Sequence, residues 1–389
     1  MVIVLLSFIC NKMEAQKGIC NADSIEISIL TCSPHNEIYS LYGHTAIRFQ
    51  DKAQGVDFVV NYGVFSFHKP YFVLRFVFGL TDYEMGIVPF EDFCQEYSYY
   101  GSKVIQQTLN LSDEEKIKIT KALQDNYEPE NRVYRYNYFY NNCTTKARDI
   151  ILENIDGNIV YNNKINTKTS FRDMIHSCNE DYRWARFGND LLLGVKADLK
   201  TTREDQQFLP KNLMTDFASA YVVKSNGTRY PLIKDTQTIV MQQDAVNESS
   251  LTPTPTVSFL MIAAVIAIMS LIELVTHKRF IFIDIILMIL QGTAGIILFA
   301  MLFSQHPTTS TNLQILLLNP LWLFVAIYII RNKHNINRQK NILKICLLTI
   351  FIFILCGFFQ DYAEGINILA WSLLMRTMFD LYFLKINEK

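Results

Sequence analysis

The chain has 389 residues, half of them apolar, with 36 basic against 37 acidic side chains and a net charge of −1. That balance offers no basic surface for nucleic acid, and the length admits two or more domains. The apolar residues are concentrated toward the C-terminus, which excludes a wholly water-soluble chain. At the N-terminus, Val2 to Cys10 is a short apolar stretch, and Met13-Glu14-Ala15 before Gln16 has the character of a signal-peptidase site. Residues 1–19 therefore read as an export segment, although no lysine or arginine precedes the apolar core. Cys10 follows Ser7-Phe8-Ile9, which lacks the small residue a lipid-attachment site requires.

Residues 20–223 read as a folded exported domain. Ser24 to Thr31 alternates with period two and predicts a strand, and His44 to Phe49 and Val56 to Tyr62 predict a second and third, joined by a hairpin loop over 50–55. A register that sets Ile47 opposite the middle of the third strand brings Asn61 near His44, and a slip of one residue sends it to the other face. Phe65 to Phe93 is rich in aromatics around a Gly79-Leu80-Thr81 break, and either packs in a core or forms a surface that meets lipid. Ser112-Asp-Glu-Glu115 is a capping box that starts a helix over 113–126. The run Tyr134 to Tyr140 then leads through Asn141 and Asn142 to a helix over 144–153, with Cys143 at the seam. Residues 170–223 mix short helical patterns with Arg183, Trp184 and Arg186 and suggest no chemistry. Residues 224–256 lose apolar periodicity, end in alternating Thr and Pro, and read as a linker.

Five apolar runs of membrane-spanning length follow, 257–276, 280–303, 313–330, 342–359 and 366–384, so 257–389 reads as a five-helix transmembrane bundle. Lys278 and Arg279, then Arg331, Lys333, Arg338, Lys340 and Lys344, then Lys385 and Lys389 lie on one side, while the loops 304–312 and 360–365 hold no lysine or arginine. Positive residues stay inside, so these two loops and the N-terminal domain face outward. Glu273, Asp284, Arg376 and Asp380 lie in or near spans, where such residues face the bundle interior and pair; Arg376 and Asp380 are four apart and suit a local ion pair.

Cys143 is the reactive candidate. The first turn of a helix presents free N–H groups and a positive dipole end, which favour thiolate over thiol. Cys20, Cys32, Cys94, Cys143 and Cys178 make an odd number in an oxidising compartment; two disulfides leave one thiol, and Cys143 is the expected spare. A histidine is the usual partner of such a thiol, and His44 after Gly43 at a strand start is the best placed, with His35, His68 and His176 as competitors. Cys143 as nucleophile, His44 as base and Asn61 as orienter form the arrangement of papain-like enzymes. No metal-ligand spacing or nucleotide loop occurs, so no cofactor is expected.

The strings Tyr42-Gly-His-Thr-Ala-Ile-Arg-Phe49, Asn61-Tyr-Gly-Val-Phe-Ser-Phe67 and Phe139-Tyr-Asn-Asn-Cys-Thr-Thr145 resemble the N-terminal periplasmic domain of the Lnb-type lipoprotein N-acylation proteins of Bacteroides. Ser304-Gln-His-Pro307 and Leu318-Asn-Pro-Leu-Trp322 resemble the membrane domain of that family. The resemblance implies an acyltransferase in which Cys143 and His44 are the catalytic pair, with diacylated lipoproteins and membrane phospholipid as partners in the inner membrane. Histidine before cysteine in the chain is similar to the permuted NlpC/P60 order of lecithin:retinol acyltransferase-like enzymes. The expected fold is thus an α+β papain-like, permuted NlpC/P60-like domain followed by the five-helix bundle. Tyr62, Asn142 and Thr144, inside the matching strings, and His306, in an outer loop, are expected to line the substrate site. A membrane-tethered cysteine hydrolase of the cell wall and a non-enzymatic envelope assembly protein are the competing readings.

Overall fold

The computed structural model describes residues 22–35, 37–65, 70–243 and 252–386; the export segment, Cys20 and His68 lie outside them. In chain order the strands are β1 (Ile25–Cys32), β2 (His44–Asp51), β3 (Val56–Val64), β4 (Asp82–Pro89), β5 (Val104–Leu109), β6 (Val133–Arg135), β7 (Asn158–Tyr161), β8 (Ala220–Val223), β9 (Arg229–Pro231) and β10 (Ile233–Val240). The helices are α1 (Phe72–Val77), α2 (Phe90–Tyr99), α3 (Asp113–Tyr127), α4 (Cys143–Glu153), α5 (Phe171–Cys178), α6 (Arg183–Leu192), α7 (Arg203–Gln206), α8 (Pro210–Ser219), α9 (Pro255–Thr276), α10 (Ile281–Met301), α11 (Leu321–Arg331), α12 (Ile336–Cys356) and α13 (Ile366–Ile386). The chain divides into an α+β unit, residues 1–72, 80–169 and 201–248, and a helical unit, residues 73–79, 170–200 and 249–389.

In the α+β unit, β10-β5-β1-β2-β3-β4-β6 form a sheet whose paired strands all run antiparallel. Side chains alternate across it. Ile27, Ile29, Ile47, Val60 and Tyr62 build the larger core with α3, α4 and α8, and Leu30, Cys32, Ala46 and Val59 pack with Phe93 of α2 on the other face. The capping box expected at Ser112 is present, with Glu115 reaching back to the Ser112 amide at 2.7 Å. The segment read as a linker is corrected in part: its residues 229–231 and 233–240 are strands, and β10 pairs with β5 at the sheet edge. An edge strand needs little apolar surface, and Lys234, Asp235, Thr236, Gln237 and Thr238 are all exposed, which is why the periodicity vanished there.

Among the described residues the helical unit has four helices long and apolar enough to cross a membrane, Pro255–Thr276, Ile281–Met301, Leu313–Arg331 and Ile336–Cys356. The fifth expected span, α13, is also 21 residues long, but Arg376, Asp380 and Lys385 take it outside that set. Arg376 and Asp380 are buried rather than exposed. Arg376 bonds Glu273, Asp284 at 2.7 Å and Asp380 at 3.5 Å, while Arg279 reaches Asp380 at 3.1 Å and Asp284 at 3.3 Å. The local pair expected between Arg376 and Asp380 is thus one edge of a network of three carboxylates and two guanidiniums, each needing the others because an unpaired buried charge is expensive.

Residues 170–200 belong to the helical unit. Arg172, almost fully buried, bonds Asp190 at 2.9 Å, Asp198 and the Leu193 carbonyl. The interhelical loops complete the backbone: Gln314 donates to the Asp190 carbonyl at 2.9 Å, Asn312 to that of Leu191 at 2.8 Å and Gln360 to that of Leu193 at 3.0 Å. Buried carbonyls require such partners, and these amides supply them from residues more than a hundred positions away.

Candidate active site

Cys143 is the first residue of α4 because Asn142 caps it. The Asn142 Oδ1 accepts from the amides of Thr144 at 2.9 Å and Thr145 at 3.0 Å, and the Thr145 hydroxyl accepts from the Asn142 amide at 2.9 Å. The Asn142 Nδ2 donates to the carbonyls of Tyr138 and Phe208. Every polar group of that side chain is engaged and it is buried, so Asn142 fixes the helix start and has nothing left for a substrate; a cap of this kind is worth about 1 kcal/mol. It also occupies two first-turn amides, leaving that of Cys143 as the first-turn donor for an oxyanion.

His44 opens β2. Gly43 precedes it at φ +76, where a Cβ would lie 2.6 Å from the Cys32 carbonyl oxygen, so only glycine turns the chain there. β2 and β3 pair with Ala46 opposite Asn61, the register that carries Asn61 toward His44. The His44 Nε2 donates to the Asn61 Oδ1 at 3.0 Å, which leaves Nδ1 to exchange a proton with Cys143. Tyr62, next in the strand, points to the opposite face. It is 1 % exposed, with its hydroxyl donating to Asn126 Oδ1 at 2.7 Å, and is a core residue rather than the substrate contact expected of it.

The electrostatics separate Cys143 from its neighbours. Burial alone would raise its thiol, but the adjacent His44 charge, a hydrogen bond with His44, the Thr45 amide and the Thr144 hydroxyl outweigh burial and bring it down to about 7. Burial likewise opposes the His44 imidazolium, yet the Cys143 charge and the hydrogen bonds to Cys143 and Asn61 carry it above the ordinary histidine value. The pair therefore favours thiolate and imidazolium together. Burial instead holds the Cys32 and Cys94 thiols above the usual range. Cys32, Cys94 and Cys143 are all free of disulfides, which corrects the expectation of two bridges in this domain. Cys143 is unpaired, but so are others.

Thr144, expected to line the substrate site, is buried; its hydroxyl lies 3.1 Å from that of Thr45 and 3.8 Å from the Cys143 sulfur, tying α4 to β2 beside the thiol. An aromatic wall accompanies the site. Phe65 stacks on Tyr83 at 4.9 Å and Tyr83 on Tyr136 at 4.1 Å, while Tyr134 and Tyr136 both feel the Cys143 charge. The run from 134 to 140 showed these rings in the sequence, but their neighbours arrive through β4–β6 pairing, some fifty positions away.

His35 and His176, the competitors among the described residues, are engaged elsewhere. His35 stacks on Tyr100 at 4.3 Å, and burial lowers its proton affinity. The His176 Nε2 bonds Asp190 at 2.7 Å. His306 belongs to the helical unit, with its ring 5.9 Å from that of Phe76; burial lowers its proton affinity and its Nε2 makes no hydrogen bond among the described residues.

The described features define a multi-pass membrane protein whose α+β domain carries a Cys–His–Asn site. Residues 12–176 match the Lnb N-terminal periplasmic domain and residues 246–388 the Lnb transmembrane domain. The chain belongs to the Lnb family, and its α+β domain is the periplasmic one. No curated protein and no solved structure matches it.

Proposed function

We propose that this protein is an inner-membrane acyltransferase that N-acylates the N-terminal cysteine of diacylated lipoproteins through a thioester on Cys143, with phospholipid as acyl donor. The observation that carries this reading is the Cys143 thiol lowered to about 7 beside His44, in a chain that also has a Lnb transmembrane domain. A soluble substrate would need one anchor at most; a membrane bundle suits substrates that live in lipid. Alpha13 acts as the fifth span, its Arg376 and Asp380 neutralised inside the buried charge network. The His-before-Cys order fits a permuted NlpC/P60-like, papain-like domain.

The chemistry is two acyl transfers. The Cys143 thiolate attacks the ester carbonyl of the phospholipid, and the Cys143 amide donates to the oxyanion. The ester C–O bond breaks as His44 gives its proton to the departing lysophospholipid oxygen, leaving the thioester and neutral His44. The free amine of the lipoprotein's cysteine then attacks the thioester; His44 takes the amine proton, the C–S bond breaks, and the amide and Cys143 thiolate are released. Asn61 holds the imidazole ring throughout.

The test is reconstitution of the full chain in phospholipid vesicles with a diacylated lipopeptide. The expected products are lysophospholipid and N-acyl lipopeptide in equal amounts, lost in Cys143→Ser. Fatty acid release with unchanged lipopeptide would assign water as acceptor and make the protein a hydrolase. No acyl chemistry in a correctly folded preparation would refute both.

A further inference from the structure

We propose that α1 is a lipid-contacting element whose exposed apolar side chains rest in the interfacial layer of the bilayer. Alpha1 from Val73 onward belongs to the helical unit. The Gln305 amide donates to the Phe78 carbonyl at 3.0 Å, and the Phe76 carbonyl bonds the His306 ring, which lies beside the Phe76 ring. Gly79, directly after α1, comes so close to this loop that a Cβ there would lie 3.0 Å from the amides of Gln305 and His306. The attachment is therefore through backbone and tight.

Its level follows from α10, a helix of span length that ends at Met301. Leu302, Phe303 and Ser304 continue the coil, with amides bonded to the carbonyls of Leu298, Ala300 and Met301. A chain that stays coiled rises about 1.5–2 Å per residue, so Gln305 lies within about 8 Å of the end of the span. A bilayer that covers α10 must bring its interfacial layer to the loop that holds α1.

The side chains at that level suit lipid better than water. Leu74 is 55 % exposed, Phe76 41 % and Phe303, on the same loop, 66 %. Phe303 continues the outward apolar surface of α10, its ring 5.3 Å from that of Phe299, and Ile296 is also exposed there. Aromatic and aliphatic groups collect at this depth, and short apolar helix faces bury there. Between the alternatives for the aromatic stretch 65–93, this part is surface and not core. The assignment stands whether or not Cys143 carries an acyl group.

The test places the photo-crosslinking residue p-benzoylphenylalanine at Leu74, and separately at Phe76, of the full chain in phosphatidylethanolamine–phosphatidylglycerol nanodiscs, with adducts identified by mass. Leu260, exposed on α9, serves as the lipid-facing reference and Lys118, exposed on α3, as the water-facing one. Phospholipid adducts at Leu74 or Phe76 should match Leu260 and exceed Lys118 by at least about tenfold, as interfacial residence requires. Yields at both positions equal to Lys118, or cross-links to protein only, would overturn the proposal while leaving the acyl-transfer reading untouched.

Discussion

Replacing His44 by Gln tests whether the thiolate of Cys143 depends on its neighbour. In the native site the thiol is lowered from 9.0 to about 7, chiefly by the His44 charge and hydrogen bond working against burial. Removing the imidazole leaves burial in control, so the thiol returns to 9 or above. At pH 7 the thiolate fraction then falls from about one half to at most about one hundredth, a loss of about fiftyfold. The liberated thiolate is also a better nucleophile: with a Brønsted slope near 0.45, two units of basicity return about eightfold. Alkylation of Cys143 by iodoacetamide should therefore slow only about sixfold at pH 7, while the midpoint of its pH profile moves up by two units or more. Above about pH 8 the variant should overtake the native protein. The assay is quantitative mass spectrometry of the Cys143 peptide across pH 5–10, with Cys94 as an internal reference whose profile should not move. A Cys143 midpoint near 7 in His44→Gln would show that something other than the histidine lowers the thiol.

Asn61→Ala should cut kcat/KM for acyl transfer by about 10- to 100-fold, the worth of a hydrogen bond to a charged group. It should also change the pH profile in a definite direction: the acid limb, set by Cys143 near 7, stays, while the alkaline limb moves down, because the Asn61 bond helps to raise His44. Asn61→Asp should move that limb up; an unmoved limb in both variants would deny Asn61 its orienting role. Arg172→Met should destabilise the helical unit by about 3–5 kcal/mol, since it takes from Asp198 its cationic partner and leaves Asp190 to His176 and Arg186 alone. Thermal unfolding in detergent checks this, and a loss below about 1 kcal/mol would show the network to be solvated.

Much of this protein follows from local pattern. Strand alternation at 25–32, 44–51 and 56–64 depends on neighbours two apart, and the Ser112 box on neighbours three apart, so sequence alone locates them. Membrane-spanning length and loop charge are likewise properties of contiguous stretches, and they placed the helical region and its orientation. A reactive Cys143 was legible because a helix start is a local signal. Its pairing with His44 was legible only as a choice among histidines, because ninety-nine residues separate them and sheet register decides which one arrives. Register also sent Tyr62 into the core and Asn61 to His44, two adjacent residues with opposite fates on a pleated strand. Residues 170–200 gave no sequence signal because their partners are distant: Arg172 is buried against two acids from the following turns, and the carbonyls around it are satisfied by Asn312, Gln314 and Gln360. Composition cannot distinguish an arginine in water from one enclosed by carboxylates. The sequence determined which segments are strands, caps and apolar helices; the tertiary structure decided which polar groups meet, since long-range hydrogen bonds and buried charges take their partners from the fold and not from the neighbouring residue.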